Sequence, residues 1–184
     1  MTTPDLPFSN SYWVIPNRFL AGEYPGAFGA ERIRKRLDAL LEAGMDTFVN
    51  LTRLDELPDY APILFERAGY YQKDVRVHRL AIEDFGLPTR ELMLDILSVI
   101  EGALNEGRNV YVHCWGGIGR TGTTVGCYLV RRGRTGEEAL RQLAEWWQTV
   151  PKSQIHQRSP ETSEQAQFVR NWARYERRRQ RKTE

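Results

Sequence analysis

Short apolar segments alternate with amphipathic helical segments along the chain, and this alternation limits the fold more than any other feature. Strands are predicted at residues 47–51, 75–80 and 109–112, separated by helical patterns. A short hairpin of residues 12–15 and 18–21 is predicted before the first helix. Because strands that alternate with helices form sheets buried on both faces, we expect a single α/β domain. Its central, mostly parallel sheet should contain four to five strands, with helices on both faces.

The predicted helices have recognisable ends. Their spans are residues 30–43, 60–68, 90–105, 121–132 and 136–149, with a last helix from about residue 160. Thr89 is predicted to cap the 90–105 helix, and Gly44, Gly69 and Gly133 are predicted to end three others. The carboxyl ends of parallel strands are where ligands of such sheets bind, so the chemistry is expected in the loops that follow the strands.

Composition places the protein among ordinary globular chains. The 184 residues are 41% hydrophobic and 27% charged, and no apolar run approaches the roughly eighteen residues of a membrane helix. Two cysteines are too few for a secreted disulfide scaffold, so we expect a cytoplasmic monomer. We also expect a loose N-terminal arm over residues 1–11, the domain over residues 12–173 and a basic helix end over residues 174–184.

The net charge of +2 is unevenly distributed. Residues 174–184 hold six basic and two acidic side chains, which leaves the rest of the chain at −2. A nucleic-acid-binding surface needs basic residues spread over the body, so no nucleic-acid partner is expected. The basic tail is interpreted as a solvated helix end, and a weak attraction to acidic partners or an anionic membrane surface stays open.

The segment after the 109–112 strand carries the strongest chemical signal. It consists of His113, Cys114, Trp115, Gly116, Gly117, Ile118, Gly119, Arg120, Thr121 and Gly122. Glycines let backbone N–H groups turn inward into an anion-binding nest, and the following helix adds the positive end of its dipole. Arg120 can hold two phosphate oxygens with its planar fork. The loop from Trp115 to Arg120 is therefore predicted to bind a tetrahedral oxyanion above Cys114.

The same surroundings favour an ionised Cys114. A free thiol is only a few per cent ionised at pH 7, and a helix N-terminus, inward N–H groups and a nearby arginine all favour the thiolate. The Thr121 hydroxyl is predicted to donate to the sulfur, and His113 is predicted to brace the loop without acting as an acid or base. A buried structural thiol is the alternative for Cys114, but such a thiol needs neither three glycines nor an arginine beside it. For Cys127, by contrast, packing is the expected role.

This loop resembles the signature of the cysteine-based protein tyrosine phosphatases, which is His-Cys, five residues, Arg and then Ser or Thr. The resemblance covers most of the chain and is closest to the compact dual-specificity-like branch found in bacteria. Residues 48–52 are similar to that family's first core strand, residues 81–88 to its general-acid loop, and residues 159–165 to a segment whose glutamine positions water. The resemblance implies a phosphatase domain over residues 12–173.

The family chemistry implies two displacement steps without a metal or cofactor. Cys114 would attack phosphorus, Arg120 and the loop would hold the oxygens, and a carboxylic acid would protonate the leaving group. Asp84 is predicted to be that acid, with Glu83 and Asp74 as competitors. Gln165 is predicted to orient the water that hydrolyses the phosphocysteine, against the alternative of a surface-facing glutamine. A zinc site is not expected, because His113 and Cys114 have no second ligand pair.

The substrate is less constrained than the chemistry. No lysine lies between Cys114 and Arg120, which favours a phosphoprotein, with phosphotyrosine first and phosphoserine or phosphothreonine open. The alternatives are an inositol phosphate or phosphoinositide phosphatase and a non-catalytic phosphate-binding module. Trp115 could form the pocket wall or pack on a neighbouring loop. Arg53 could contact substrate, although a surface role is the simpler interpretation.

Overall fold

Five strands form one sheet in the order β1-β2-β5-β3-β4. The computed structural model describes residues 4–26 and 29–180, and its side chains through residue 176. The strands are β1 (Ser11–Ile15), β2 (Phe19–Gly22), β3 (Thr47–Asn50), β4 (Arg76–Arg79) and β5 (Val110–His113). Only the β1–β2 hairpin is antiparallel, so the predicted mostly parallel sheet of four to five strands is confirmed, with five strands.

Six α-helices and one 3-10 helix occur in the described residues. They are α1 (Ala30–Glu42), α2 (Ala61–Tyr70), α3 (Arg90–Asn105), α4 (Gly119–Arg131), α5 (Gly136–Gln148), the 3-10 helix Pro151–Gln154 and α6 (Ser163–Gln180). None of them combines the length and apolar character needed to cross a bilayer. Thr89 caps α3 as predicted, because its side chain accepts a hydrogen bond from the Leu92 amide.

Alternating side chains of the sheet divide the core between two helical layers. Phe48 and Tyr111 belong to the layer that packs on α1 and α2. Val49 and Val112, one residue further along the same strands, belong to the layer that packs on α3 to α6. Each fully buried apolar side chain contributes roughly 1.5–3 kcal/mol relative to an exposed one. The sheet therefore forms the rigid middle layer on which the loops are mounted.

The strand register brings four loops to one edge of the sheet. The last residues of β2, β3, β4 and β5 lie side by side in the ladder, and they are Gly22, Asn50, Arg79 and His113. β5 lies between β2 and β3, so the loop after His113 is flanked by the loops that leave those two strands. This register, more than any single contact, decides which residues can meet at the carboxyl edge.

Several helix boundaries differ from the sequence prediction. α2 continues through Gly69 to Tyr70, and the left-handed residue after it is Gln72, with φ 52°. α6 begins at Ser163 instead of residue 160, because Thr162 and Gln165 form a capping box. The Gln165 amide donates to the Thr162 hydroxyl, and the Gln165 side chain accepts from the Thr162 amide, each at 3.1 Å.

The N-terminal arm is more ordered than expected from residue 4 onward. Trp13 Nε1 donates to the Pro4 carbonyl, and the Phe8 ring packs edge-on against Tyr111. This part of the arm therefore lies against the sheet and is not loose. Residues 1–3 lie outside the described residues. So do residues 181–184 and the side chains beyond Glu176, which include most of the predicted basic tail.

Candidate active site

Four carbonyl groups of the loop after β5 are held from outside the pocket. They belong to Cys114, Trp115, Gly116 and Ile118. Their donors are, in that order, His113 Nδ1 at 3.3 Å, Tyr24 N at 2.8 Å, Lys152 Nζ at 3.2 Å and Ser159 Oγ at 2.8 Å. Because C=O and N–H point in opposite directions across a trans peptide, the following amides turn away from these donors. This orientation leaves the N–H groups of the loop available to an anion.

Two glycines allow the loop to lie against its neighbours. Gly117 has φ +74°, and a Cβ there would lie 2.6 Å from the backbone of Gly22. A Cβ on Gly119 would lie 2.8 Å from the Gln165 side chain. The glycines therefore serve close backbone approach to the end of β2 and to α6, in addition to chain reversal.

A partly buried lysine holds the loop from the side of Gly116. Lys152 Nζ, which donates to the Gly116 carbonyl, also lies 2.6 Å from Glu23 Oε2. Glu23 is itself buried and lies 2.6 Å from Arg36 through its other oxygen. This chain of charges ties the loop to α1 and to the 3-10 helix, neither of which was predicted to contact it.

Arg120 is almost fully buried and is gripped by an unexpected carboxylate. Glu56 accepts bidentate hydrogen bonds from Nη1 and Nη2 at 2.7 and 2.6 Å, and the Ile82 carbonyl accepts from Nη1 at 3.2 Å. Burial opposes ionisation of Glu56, but hydrogen bonds from Arg120 and the Arg53 amide outweigh it and lower the pKa. A fixed carboxylate therefore orients the guanidinium fork.

Glu56 was missed by the sequence analysis, although a signal existed. It lies in the loop after β3, and β3 is the neighbour of β5. Acidic residues in that loop therefore lie at the same edge of the sheet as Arg120. The order of the strands was the missing information, because sequence separation alone did not show that these two loops are adjacent.

Asp84 is the one predicted acid that reaches the pocket. Its Oδ1 lies 2.9 Å from Arg120 Nη2, and it lines the pocket together with Phe85 and Cys114. Glu83 turns away and pairs with Arg53 at 2.9 Å. Asp74 pairs with Arg108 at the opposite edge of the sheet and cannot take part. The Asp84 side chain is 46% exposed, so solvent reaches it.

His113 is buried and neutral. Burial lowers its pKa to about 3. Burial also raises the pKa of Tyr60 well above its usual value, so the Tyr60 phenol keeps its proton and can donate to His113 Nε2 at 2.8 Å. The proton of the imidazole then belongs on Nδ1, which donates to the Cys114 carbonyl. This pattern fits an orienting residue, because the single proton of the neutral imidazole is donated to the Cys114 carbonyl.

Gln165 is buried, so the surface-facing alternative is wrong. Its Oε1 accepts from the amides of Glu161 and Thr162, and its Nε2 donates to the Gly86 carbonyl at 3.2 Å. The same side chain approaches Gly119 closely. Gln165 therefore connects α6, the loop that carries Asp84 and the loop that carries Cys114.

The predicted hydrogen bond from Thr121 to the Cys114 sulfur is absent. The Thr121 hydroxyl is buried and has no hydrogen-bond partner. Because α4 starts at Gly119, two residues earlier than predicted, Thr121 lies inside its first turn among buried residues.

The Trp115 side chain is half exposed, while its carbonyl accepts a hydrogen bond from the Tyr24 amide. Arg53 is an exposed residue paired with Glu83 and Asp55, which fits the surface interpretation.

The two thiols lie in different surroundings, and neither forms a disulfide. Cys127 is enclosed in the core of α4, where burial raises its pKa well above the usual value. Cys114 lines the pocket with Arg120. Among the described residues, no group of three or more His, Cys, Asp or Glu side chains is arranged to hold a metal ion.

Comparisons with known proteins agree with this arrangement. Residues 25–134 match the family model of the "Polymorphic toxin system, DSP-PTPase phosphatase". The chain is 31% identical over 138 residues to protein tyrosine phosphatase domain-containing protein 1 of Mus musculus, covering 71% of this chain and 18% of that protein. It is 30% identical over 141 residues to dual specificity protein phosphatase CDC14B of Mus musculus, covering 71% and 26%. The chain thus spans about a quarter or less of the length of these curated relatives.

A solved structure shows the same fold. The crystal structure of Tk-PTP in the active form superposes with a TM-score of 0.69 at 28% identity, covering 89% of this chain and 95% of that one. The family model covers more than half of the present chain and includes the loop from Cys114 to Arg120. The chain therefore belongs to the dual-specificity-like group of the cysteine-based protein tyrosine phosphatase superfamily.

Proposed function

We propose that this phosphatase hydrolyses phosphate monoesters in proteins, phosphotyrosine first and phosphoserine and phosphothreonine as further substrates. One observation carries the proposal: a thiol, a buried arginine and a half-exposed carboxyl group line a single pocket, formed by Cys114, Arg120 and Asp84. A non-catalytic binding module would need the arginine and the loop amides but neither the thiol nor the acid.

In the first step, the Cys114 thiolate attacks phosphorus. The Sγ–P bond forms as the P–O bond to the leaving group breaks, and Asp84 gives its proton to the departing oxygen. Arg120 and the amides of the loop hold the three remaining phosphoryl oxygens through the transition state. Trp115, Gly116, Gly117, Ile118 and Gly119 contribute this contact through their backbone.

In the second step, water attacks the phosphorus of the phosphocysteine. Asp84, now a carboxylate, takes a proton from that water, the S–P bond breaks and the thiolate is restored with release of inorganic phosphate. Gln165 is proposed to orient the water because it borders Gly119 and contacts the Asp84 loop through Gly86. His113 positions the loop.

The loop chemistry favours a phosphoprotein over a highly phosphorylated inositol. Between Cys114 and Arg120 there is no basic side chain, so the pocket floor offers one arginine fork to one phosphate group. A ligand that carries several phosphates needs several cations, because burying an unpaired charge is costly.

The test is a substrate panel with two cysteine variants. Wild-type protein is expected to release phosphate from phosphotyrosine peptides faster than from phosphoserine peptides or inositol phosphates, while Cys114→Ser keeps phosphopeptide binding and loses turnover. Cys127→Ala removes a buried sulfur outside the pocket and is expected to lower stability while turnover remains. Turnover by Cys114→Ser near the wild-type rate would overturn the mechanism, and faster release from inositol phosphates would overturn the substrate class.

A further inference from the structure

The pocket is surrounded by apolar side chains that face solvent. The described residues contain eight exposed large hydrophobic side chains, and five of them lie in the loops at the carboxyl edge of the sheet. We call these five residues the apolar rim: Leu54, Phe85, Leu87, Trp115 and Ile155. Such a concentration at one place on a soluble surface marks an interaction site.

Contacts already described place two rim residues directly at the pocket. Phe85 lines the pocket next to Asp84, and Trp115 follows Cys114 in the loop. Phe85 is 61% exposed and has φ 55°, in the left-handed region that non-glycine residues avoid. A large aromatic residue is an unfavourable choice for such a position, and its exposure gives no packing compensation within the chain.

The other three rim residues lie on segments anchored to the same site. Leu54 is two residues before Glu56, the carboxylate that grips Arg120. Leu87 follows Gly86, whose carbonyl accepts from Gln165. Ile155, which is 81% exposed, directly follows the 3-10 helix that supplies Lys152 to the loop. The rim residues therefore belong to segments that are anchored at the phosphate pocket.

Charge distinguishes between the surfaces that could cover this rim. Residues 51–60, 79–89, 114–120 and 149–162 hold six acidic side chains against five basic ones, and Asp59, Glu56 and Asp84 are paired with Arg79 and Arg120. This nearly balanced surface offers no excess of positive charge to an anionic membrane or to a ligand rich in phosphates. A polypeptide needs no such excess, and its apolar side chains could be buried against the rim.

We infer that the apolar rim binds a segment of a phosphorylated protein in which apolar side chains flank the phosphoresidue. The inference rests on the proposed function, because it assumes that the ester entering the pocket is carried by a polypeptide. The phosphate group then fixes the register of the segment, and the flanking side chains select among segments. Because the phosphate contributes equally to the binding of every phosphopeptide, the apolar area that the flanking side chains bury against the rim decides which segment binds best.

The experiment compares two phosphotyrosine peptides of equal length and charge, one with Leu and Phe beside the phosphoresidue and one with Ser and Gly. Each kcat/KM value is divided by the value for phenyl phosphate, which serves as a small reference ester. For the wild-type protein this ratio is expected to be about tenfold higher for the apolar peptide than for the polar peptide, mainly because KM is lower. The double variant Leu54→Ser, Ile155→Ser should reduce this preference to about twofold. Tyr70→Ser is the matched control, because Tyr70 is 75% exposed at the end of α2, toward the opposite edge. It should keep the preference.

Binding separates the inference from the proposed chemistry. Cys114→Ser protein should bind the apolar peptide about tenfold more tightly than the polar peptide, whatever the outcome of the turnover assays. Equal affinities and equal kcat/KM values for the two peptides would contradict peptide binding by the apolar rim, and they would leave the phosphatase mechanism unaffected. Faster turnover of a phosphoinositide in anionic vesicles than of either peptide would contradict both the peptide-binding role of the apolar rim and the proposal of a protein substrate.

Discussion

Two arginines occupy opposite edges of the sheet, and each is held by carboxylates. At the amino edge, Arg108 uses all three nitrogens: Nε donates to Thr47 Oγ1, Nη1 to Asp74, and Nη2 to the carbonyls of Asp46 and Asp74. At the carboxyl edge, the bonds of Arg120 engage Nη1 and Nη2, and no described residue accepts a hydrogen bond from its Nε. All three nitrogens of Arg108 are therefore hydrogen-bonded within the protein, whereas Nε of Arg120 stays available to donate to a ligand.

The difference teaches that an arginine between carboxylates is not by itself a functional site. Arg108 joins the starts of β3, β4 and β5 and contributes to the fold. Arg120 has a thiol beside it and a loop whose carbonyls are held outward, so an anion can complete its hydrogen bonds. The open donor, the glycine loop and the sulfur together define the site.

The largest expected effect separates the two arginines. Arg120→Lys keeps the charge but loses the planar fork, so kcat/KM for an aryl phosphate should fall at least about a thousandfold. Arg108→Lys should leave kcat/KM within about twofold and lower the free energy of unfolding by about 1–3 kcal/mol. Steady-state kinetics and urea unfolding of both variants check this. Similar kinetic losses in the two variants would contradict the distinction.

The carboxylates beside these arginines should also differ in their effect on turnover, with Asp84 needed for it and Asp74 not. Asp84→Asn removes the proton donor, so phosphotyrosine turnover should fall about a hundredfold, while an activated aryl ester with a good leaving group should lose much less. Asp74→Asn is the control at the amino edge and should affect neither substrate. Equal losses by Asp84→Asn on both esters would assign the acid role to another group.

Glu56 should act through Arg120 and not on the substrate directly. Glu56→Gln weakens the grip on the guanidinium, so kcat should fall roughly tenfold and KM should rise, because the fork is no longer held in one orientation. Glu106→Gln breaks an exposed pair with Arg76 and is the matched control, with no expected change in either constant. A loss confined to protein stability would show that Glu56 has only a structural role.

The smallest expected effect concerns His113 and pH. Its pKa is about 3 in the folded protein against an ordinary 6.5, so between these values the unfolded chain binds a proton that the folded chain does not. Stability from this residue is present above pH 6.5 and is lost as pH falls toward 3. From pH 7.5 to 5.5, wild-type protein should lose about 1 kcal/mol more than His113→Asn in urea unfolding. Identical losses in wild-type protein and His113→Asn would contradict the buried, neutral His113.

Local sequence was sufficient for the strands, for most helices and for the loop. Apolar spacing and the Thr89 cap depend on neighbouring residues, and the Cys114 to Arg120 loop is contiguous, so its residue types could be recognised within ten residues. Glu56 and Lys152 were missed because they reach the loop from other parts of the chain, across a strand order that periodicity does not reveal. The Thr121 prediction was wrong because it depended on where α4 begins, and helix starts vary by a residue or two.

Trapping of the covalent intermediate tests the central claim most directly. Wild-type and Asp84→Asn proteins would be mixed with an activated aryl phosphate, quenched in acid within milliseconds and digested for mass spectrometry. We expect one phosphoryl group on the sulfur of Cys114, in a larger amount in Asp84→Asn because hydrolysis of the intermediate is slowed, and none on Cys127. Rapid phosphate release without any phosphorylated Cys114 at any quench time would contradict the account.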